Sequence, residues 1–210
     1  MRPMYRFLSL AIVALTAPAP ARAQVGHTAG MLDPNLATEA ELATLPNVSA
    51  GLARTLVSKR PFLRQADFDA ALAGLTKEQR TQVYGKAFVH LNLNSASDEE
   101  ILMVPGIGNR MLHEFKEYRP YKALAVFKRE MGKYVKPDEV ERMAGYVFVP
   151  MDLNTASDED LLTIPGLGNR MLREFKEYRP YKGIEQFRRE IGKYVKPPEV
   201  ARLERYVEVK

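Results

Sequence analysis

The chain has 210 residues, with 31 Lys and Arg against 26 Asp and Glu for a formal charge of +5, a length that suits one or two small domains. Hydrophobic residues at 46% and charged residues at 27% sit near the globular average, which excludes a wholly disordered or collagenous chain. The absence of Cys excludes disulfides and thiolate metal sites. The three histidines, His27, His90 and His113, are too few and too scattered for a metal centre. Neither a cofactor nor an enzymatic activity is expected on this basis.

The first segment reads as a leader. Arg2 and Arg6 form a basic head, Phe7 to Thr16 is an apolar run, and Ala21-Arg22-Ala23 supplies a small-x-small end, the pattern of a secretory signal peptide over residues 1–23. The run is about half of what a bilayer span needs, so a cleaved leader is favoured over a retained anchor, and the mature chain is expected to start at Gln24. Without Arg2, Arg6 and Arg22 the balance is 28 basic against 26 acidic residues. Most of the basicity therefore belongs to the leader and says nothing about nucleic acid.

The rest of the chain repeats itself. Residues 91–150 and 151–210 match without a gap at 38 of 60 positions, and a weaker copy occupies residues 24–90. In that copy Asn35, Ala37, Glu41, Leu42, Pro46, Arg60 and Pro61 align with Asn94, Ala96, Glu100, Ile101, Pro105, Arg119 and Pro120, with a one-residue offset arising near Gly74. Three units of about 60 residues follow, each near the lower size limit for folding alone.

Within each unit the signals are short and helical. Thr38 to Glu41, Ser97 to Glu100 and Ser157 to Asp160 are capping-box starts or near matches, and their acids read as helix caps rather than as a metal or nuclease site. In the second unit this helix runs to about Val104, where Pro105 stops it. A second helix is predicted from Asn109 to Tyr118, with Met111, Leu112, Phe115 and Tyr118 on one face. A third covers Ala123 to Met131, and a fourth starts at Pro137, with Val140, Met143 and Val147 inward. Ala87 to His90 and Tyr146 to Val149 alternate as extended connectors between units. The fold class is all-α.

Between the first two helices lie Pro105-Gly106-Ile107-Gly108-Asn109-Arg110 and Pro165-Gly166-Leu167-Gly168-Asn169-Arg170. One glycine suits a positive φ, the apolar residue plugs the core, and the second glycine leaves the next helix's N-terminus uncovered. Unpaired N–H groups and a positive dipole end make such a place a phosphate site, to which Arg110 and Arg170 add a charged contact. A purely architectural helix-to-helix turn is the competing reading.

Leu93-Asn94-Ser95-Ala96-Ser97 through Val104-Pro105-Gly106-Ile107-Gly108, and Leu153-Asn154-Thr155-Ala156-Ser157 through Gly168, resemble the helix-hairpin-helix module of the ComEA-type competence proteins. The resemblance covers about 25 to 30 residues of each unit closely. It implies tandem helix-hairpin-helix units that bind DNA through its backbone without sequence preference, outside the cytoplasmic membrane, in periplasmic or secreted form, in support of DNA uptake. Two departures stand out. The second glycine hairpin usual in the family is reduced to Gly132-Lys133-Tyr134-Val135-Lys136 and Gly192-Lys193-Tyr194-Val195-Lys196, where Lys133 and Lys193 read as point-charge phosphate contacts or as solvated loop charges.

The first unit has Pro46-Asn47-Val48-Ser49 where both glycines should be. Asn47 tolerates positive φ, but Ser49 puts a side chain in the way, so unit one is expected to be a structural or partner-binding copy. A similar shape serves as a protein-interaction module in the extrinsic photosystem II subunit. An interaction with other envelope proteins, without DNA, is the alternative function. Tyr118-Arg119-Pro120-Tyr121 and Tyr178-Arg179-Pro180-Tyr181 read either as base-stacking platforms for a single strand or, more simply, as core.

Overall fold

The structure, a computed structural model, describes residues 24–210, and the leader read in residues 1–23 lies outside the described residues. It is mostly helical. Residues 24–90 hold α1 (Glu39–Leu42), α2 (Ala50–Ser58), α3 (Gln65–Ala71) and α4 (Lys77–Tyr84). Residues 91–150 hold β1 (Leu91–Asn92), α5 (Asp98–Leu102), α6 (Asn109–Glu117), α7 (Leu124–Met131), α8 (Pro137–Ala144) and β2 (Val147–Phe148). Residues 151–210 hold β3 (Met151–Asp152), α9 (Asp158–Leu161), α10 (Asn169–Glu177), α11 (Ile184–Ile191), α12 (Pro197–Glu204) and β4 (Val207–Glu208).

Local chemistry explains the helix starts. Thr38 and Ser97 accept from the N–H of Glu41 and Glu100, whose carboxylates return the bond, satisfying two donors that a helix end leaves unpaired. Ser157 caps α9 in the same way, but the shorter Asp160 makes no return bond. Pro137 and Pro197 open α8 and α12, where a missing N–H costs nothing. Helix α5 stops at Leu102, two residues before the expected Val104, because the Met103 and Val104 N–H groups donate three residues back, to Glu100 and Ile101, in a tightened last turn.

Each set of helices is closed by its own ends. Strand β1 pairs in parallel with β2, Leu91 with Val147 and Asn92 with Phe148, and β3 pairs with β4 in the same manner. In the first set the equivalent is a single parallel bridge from Leu32 to Ala87. The extended stretches expected to join neighbours thus tie the start of each set to its own finish, and residues 147–149 also join the first set, through the Val25–Phe148 bridge and the bonds from the Gly26 N–H to Val147 and from the Val149 N–H to Gln24. A second closure is made by side chains. Asn94 accepts the Tyr121 N–H at 2.7 Å and donates to the Tyr121 carbonyl at 2.9 Å, and Asn154 holds Tyr181, as Asn35 holds Phe62, through the same two bonds. An Asn amide offers the donor and acceptor that a lone peptide group requires. The neighbouring Arg60, Arg119 and Arg179 precede cis prolines and donate to the carbonyls of Ala37, Ala96 and Ala156.

Aromatic pairs fill the interior. Phe115 meets Phe127 edge-on at 4.8 Å and Phe175 meets Phe187 at 5.0 Å; each such fully buried Phe stabilises the fold by about 1.5–3 kcal/mol. Neighbouring sets are joined by equivalent pairs, Phe88 with Tyr146 at 4.9 Å and Phe148 with Tyr206 at 4.6 Å. One hydrophobic core runs through the first two sets, and a second, built on Leu161, Phe175 and Phe187, takes in Val25 and Phe148. Among the described residues no helix is long and apolar enough to cross a membrane.

Candidate nucleic-acid interface

The two Pro-Gly turns have one geometry. The Ile107 N–H donates to the Val104 carbonyl at 3.1 Å and the Leu167 N–H to Ile164 at 3.0 Å; Gly106 and Gly166 sit between at φ +83° and +75°. Proline at the first central position and a positive φ at the second are the signature of a type II turn. Ile107 and Leu167 are buried, and with their N–H groups already engaged they hold the turn rather than face solvent.

The second glycine serves a different purpose. Gly108 caps α6 at φ −116° and Gly168 caps α10 at φ −95°, extended values that any residue adopts, and neither supplies a side-chain cap. A Cβ at either position would meet nothing within 4 Å. Backbone strain and crowding therefore do not require these glycines. The first helical bonds are Leu112 to Gly108 and Leu172 to Gly168, so the N–H groups of Asn109 to Met111 and of Asn169 to Met171 are left at open helix ends. Asn109, Arg110, Asn169 and Arg170 are exposed. Neither arginine has a carboxylate partner among the described residues, and the helix-start acids Asp98 and Asp158 pair instead with Lys116 and Lys176 in the last turns of α6 and α10, each at 2.7 Å.

The first set builds the same turn and then closes it. Asn47 adopts φ +62° and Val48 donates to Leu45, but Ser49 accepts the Leu52 N–H at 3.2 Å through its own Oγ. The helix end that is open in α6 and α10 is thus self-capped in α2.

A brace beneath the turns was not anticipated from sequence. Arg142 lies 3.1 Å from where a Cβ on Gly106 would stand, and it is gripped by Glu139 through bonds of 2.8 and 2.6 Å. That pairing raises Arg142 above its usual range and holds Glu139 below the usual carboxylate range. Arg202, paired with Glu199, donates to the Pro165 carbonyl at 2.7 Å. In the first set Gln82 accepts from Asn47 at the same place. The repeated Glu-x-x-Arg of α8 and α12 was the available signal, but its spacing is equally that of an ordinary surface ion pair.

Lys133 and Lys193 are not brought to the open helix ends. Lys133 pairs with Glu130 and lies 5.0 Å from the Tyr118 ring centre; Lys193 pairs with Glu190 and lies 5.1 Å from Tyr178. Contact with Glu130 and Glu190 raises both lysines above their ordinary value. Tyr118 and Tyr178 follow the last residues of α6 and α10, about 15 Å from the glycine caps at the helical rise per residue. Tyr118 and Tyr178 bond to Tyr134 and Tyr194 through their hydroxyls, while Tyr121 and Tyr181 are buried. Among the described residues no three His, Asp or Glu side chains gather as a metal site. The chain matches no protein-family model, no curated protein and no solved structure.

Proposed function

We propose that the protein is an exported, ComEA-like chain of tandem helix-hairpin-helix units that holds DNA by its phosphates, without sequence preference, in the periplasm or outside the cell. The contacts are the N–H groups at the starts of α6 and α10, with Arg110 and Arg170 beside them. One observation carries this reading: Gly108 and Gly168 have no backbone or packing reason to be glycine, and their effect is to uncover helix ends that Ser49 closes in α2. An open N-terminus with convergent donors suits a phosphate oxygen. Two linked weak sites gain from effective concentration, and contacts made largely by neutral N–H groups give a shallow salt slope, about two to four neutralised phosphates.

Fluorescence anisotropy with a random duplex of about 30 base pairs tests this. Gly108→Ser combined with Gly168→Ser is expected to weaken binding more than tenfold while the far-ultraviolet dichroism stays unchanged. Undiminished affinity in that variant would overturn the mechanism. The near balance of 28 basic and 26 acidic residues beyond the leader and the exposed Leu102 and Leu162 flanking the turns favour a second reading, a protein-interaction module. A single partner with no DNA retained on either variant would support it.

A further inference from the structure

The three sets of helices meet at one cavity of about 220 Å³. Gln65, Arg64 and His90 of the first set, Glu100 and Phe148 of the second, and Arg205 of the third line it. Gln65 and His90 are buried. The Gln65 Nε2 and the Arg205 Nε are buried without a hydrogen-bond partner, and the His90 ring makes no well-formed bond although the Gly26 backbone lies beside it; buried polar groups of this kind call for an occupant.

The charges are unequal. Arg64 is neutralised by Glu100 through bonds of 3.1 and 2.8 Å. Arg205 donates to the His90 carbonyl and stands over Phe148 and Tyr206, at 5.3 and 5.1 Å from the ring centres, but no carboxylate pairs with it among the described residues. Asp33, whose charge reaches the His90 ring, accepts instead from the Asn35 N–H at 2.8 Å. The cavity therefore carries one unmatched positive charge and a surplus of donors.

The fold does not demand this set. At the equivalent cleft between the second and third sets, Leu124 stands for Gln65 and Pro150 for His90, and the positions equivalent to Arg205 are Gly85 and Gly145. There the Val149 N–H goes to the Gln24 carbonyl at 2.9 Å, whereas Val89 uses the Gln65 side chain at 2.9 Å. That cleft is lined by a different polar set, in which Lys122 and Lys210 stand with Asp152 and Asp160, so both signs of charge are present there.

We propose that the three-set junction is a binding site for a small oxyanion, of phosphate or carboxylate class, held by Arg205 together with Gln65 and His90. Gln65 Nε2 and Arg205 Nε supply N–H donors, and the guanidinium supplies the countercharge. Burial holds the imidazole neutral, pushed down to about 4, with the Gly26 backbone beside the ring, so His90 adds no charge and its remaining nitrogen accepts a protonated oxygen or a water. The Arg64 side chain, 59% exposed, marks the mouth toward solvent. The site is separate from the glycine turns and does not depend on DNA binding.

Thermal melting and calorimetric titration of the purified protein with inorganic phosphate and with acetate, against chloride at matched ionic strength, test the proposal. Phosphate, acetate or both are expected to raise the Tm saturably, by about 3–6 °C at ten times the Kd, an ~11-fold gain of folded over unfolded protein. The gain is expected to vanish in Arg205→Gly, which installs the residue of the other two sets, and to persist in Gly108→Ser/Gly168→Ser. Should Arg205→Gly fail to fold, Gln65→Leu carries the same test. A response no different from chloride, leaving water as the occupant, or a saturable response untouched in the Arg205 or Gln65 variant, would overturn it.

Discussion

Asn47 and Gly106 hold the same turn, at φ +62° and +83°, yet two residues later Ser49 and Gly108 part company. Ser49 spends its hydroxyl on the first turn of α2, whereas Gly108 leaves the first turn of α6 uncapped. The backbone course is shared, so the difference lies in what each helix end offers to a ligand. A cap such as Ser is worth about 0.5–2 kcal/mol to a helix over Ala and only a few tenths over Gly. The copies with glycine thus forgo little stability by leaving the donors free.

The largest effect expected on this comparison is at the positive-φ position. Gly106→Val combines a disfavoured φ with the Arg142 guanidinium at 3.1 Å and should cost about 2–3 kcal/mol, read as a lowered midpoint in urea. Gly106→Asn should cost clearly less, because Asn47 already lives in that conformation. Next comes the Gly108→Ser/Gly168→Ser pair, expected to lose more than tenfold in DNA affinity, about 1.4 kcal/mol or more, at nearly unchanged Tm. Equal loss of stability and affinity would show that these glycines serve the fold.

The junctions sharpen the same contrast. Buried Glu100 joins the first two sets through Arg64, while the third set has Asp160 at that position and the second has Ala123 in place of Arg64. Burial pushes Glu100 up, but bonds from Arg64 and the Ser97 N–H outweigh it and leave its pKa lowered. A lowered folded-state pKa gives stability that is present above the unfolded value of about 4.3 and lost as pH falls through the lower folded value. Glu100→Gln should cost about 1–2 kcal/mol at pH 7, discounted for the exposed Arg64, and should flatten the fall in Tm below about pH 5. A curve parallel to the wild type would remove Glu100 from the acid response. The smallest effect is Ser49→Gly, a few tenths of a kcal/mol in stability, with a modest gain in DNA affinity from a third open helix end.

Helix starts and turns were legible because they are local: Ser97 with Glu100, Pro137 at the head of α8, and Pro105 beside Gly106 act within four residues. The open helix ends of the candidate site followed from the same short motifs. The brace under the turns was not legible, since Arg202 reaches Pro165 across 37 residues and its Glu-x-x-Arg spacing is common on any exposed helix. Lys133 and Lys193 read as phosphate contacts of a reduced second hairpin or as solvated loop charges; they stand in the turns after α7 and α11, paired with Glu130 and Glu190 beside Tyr118 and Tyr178.

By itself the sequence determined three like sets of short capped helices, each with a turn that needs positive φ, because capping and turn chemistry depend on neighbours in the chain. Tertiary structure decided what those sets do to one another. It tied each set to itself through Asn94, Asn154 and Asn35, placed Arg142 and Arg202 beneath the turns, and gathered Gln65, His90 and Arg205 from distant parts of the chain around one cavity. Such contacts satisfy buried polar groups across long separations, and no periodicity in the chain encodes which partner a buried donor will find.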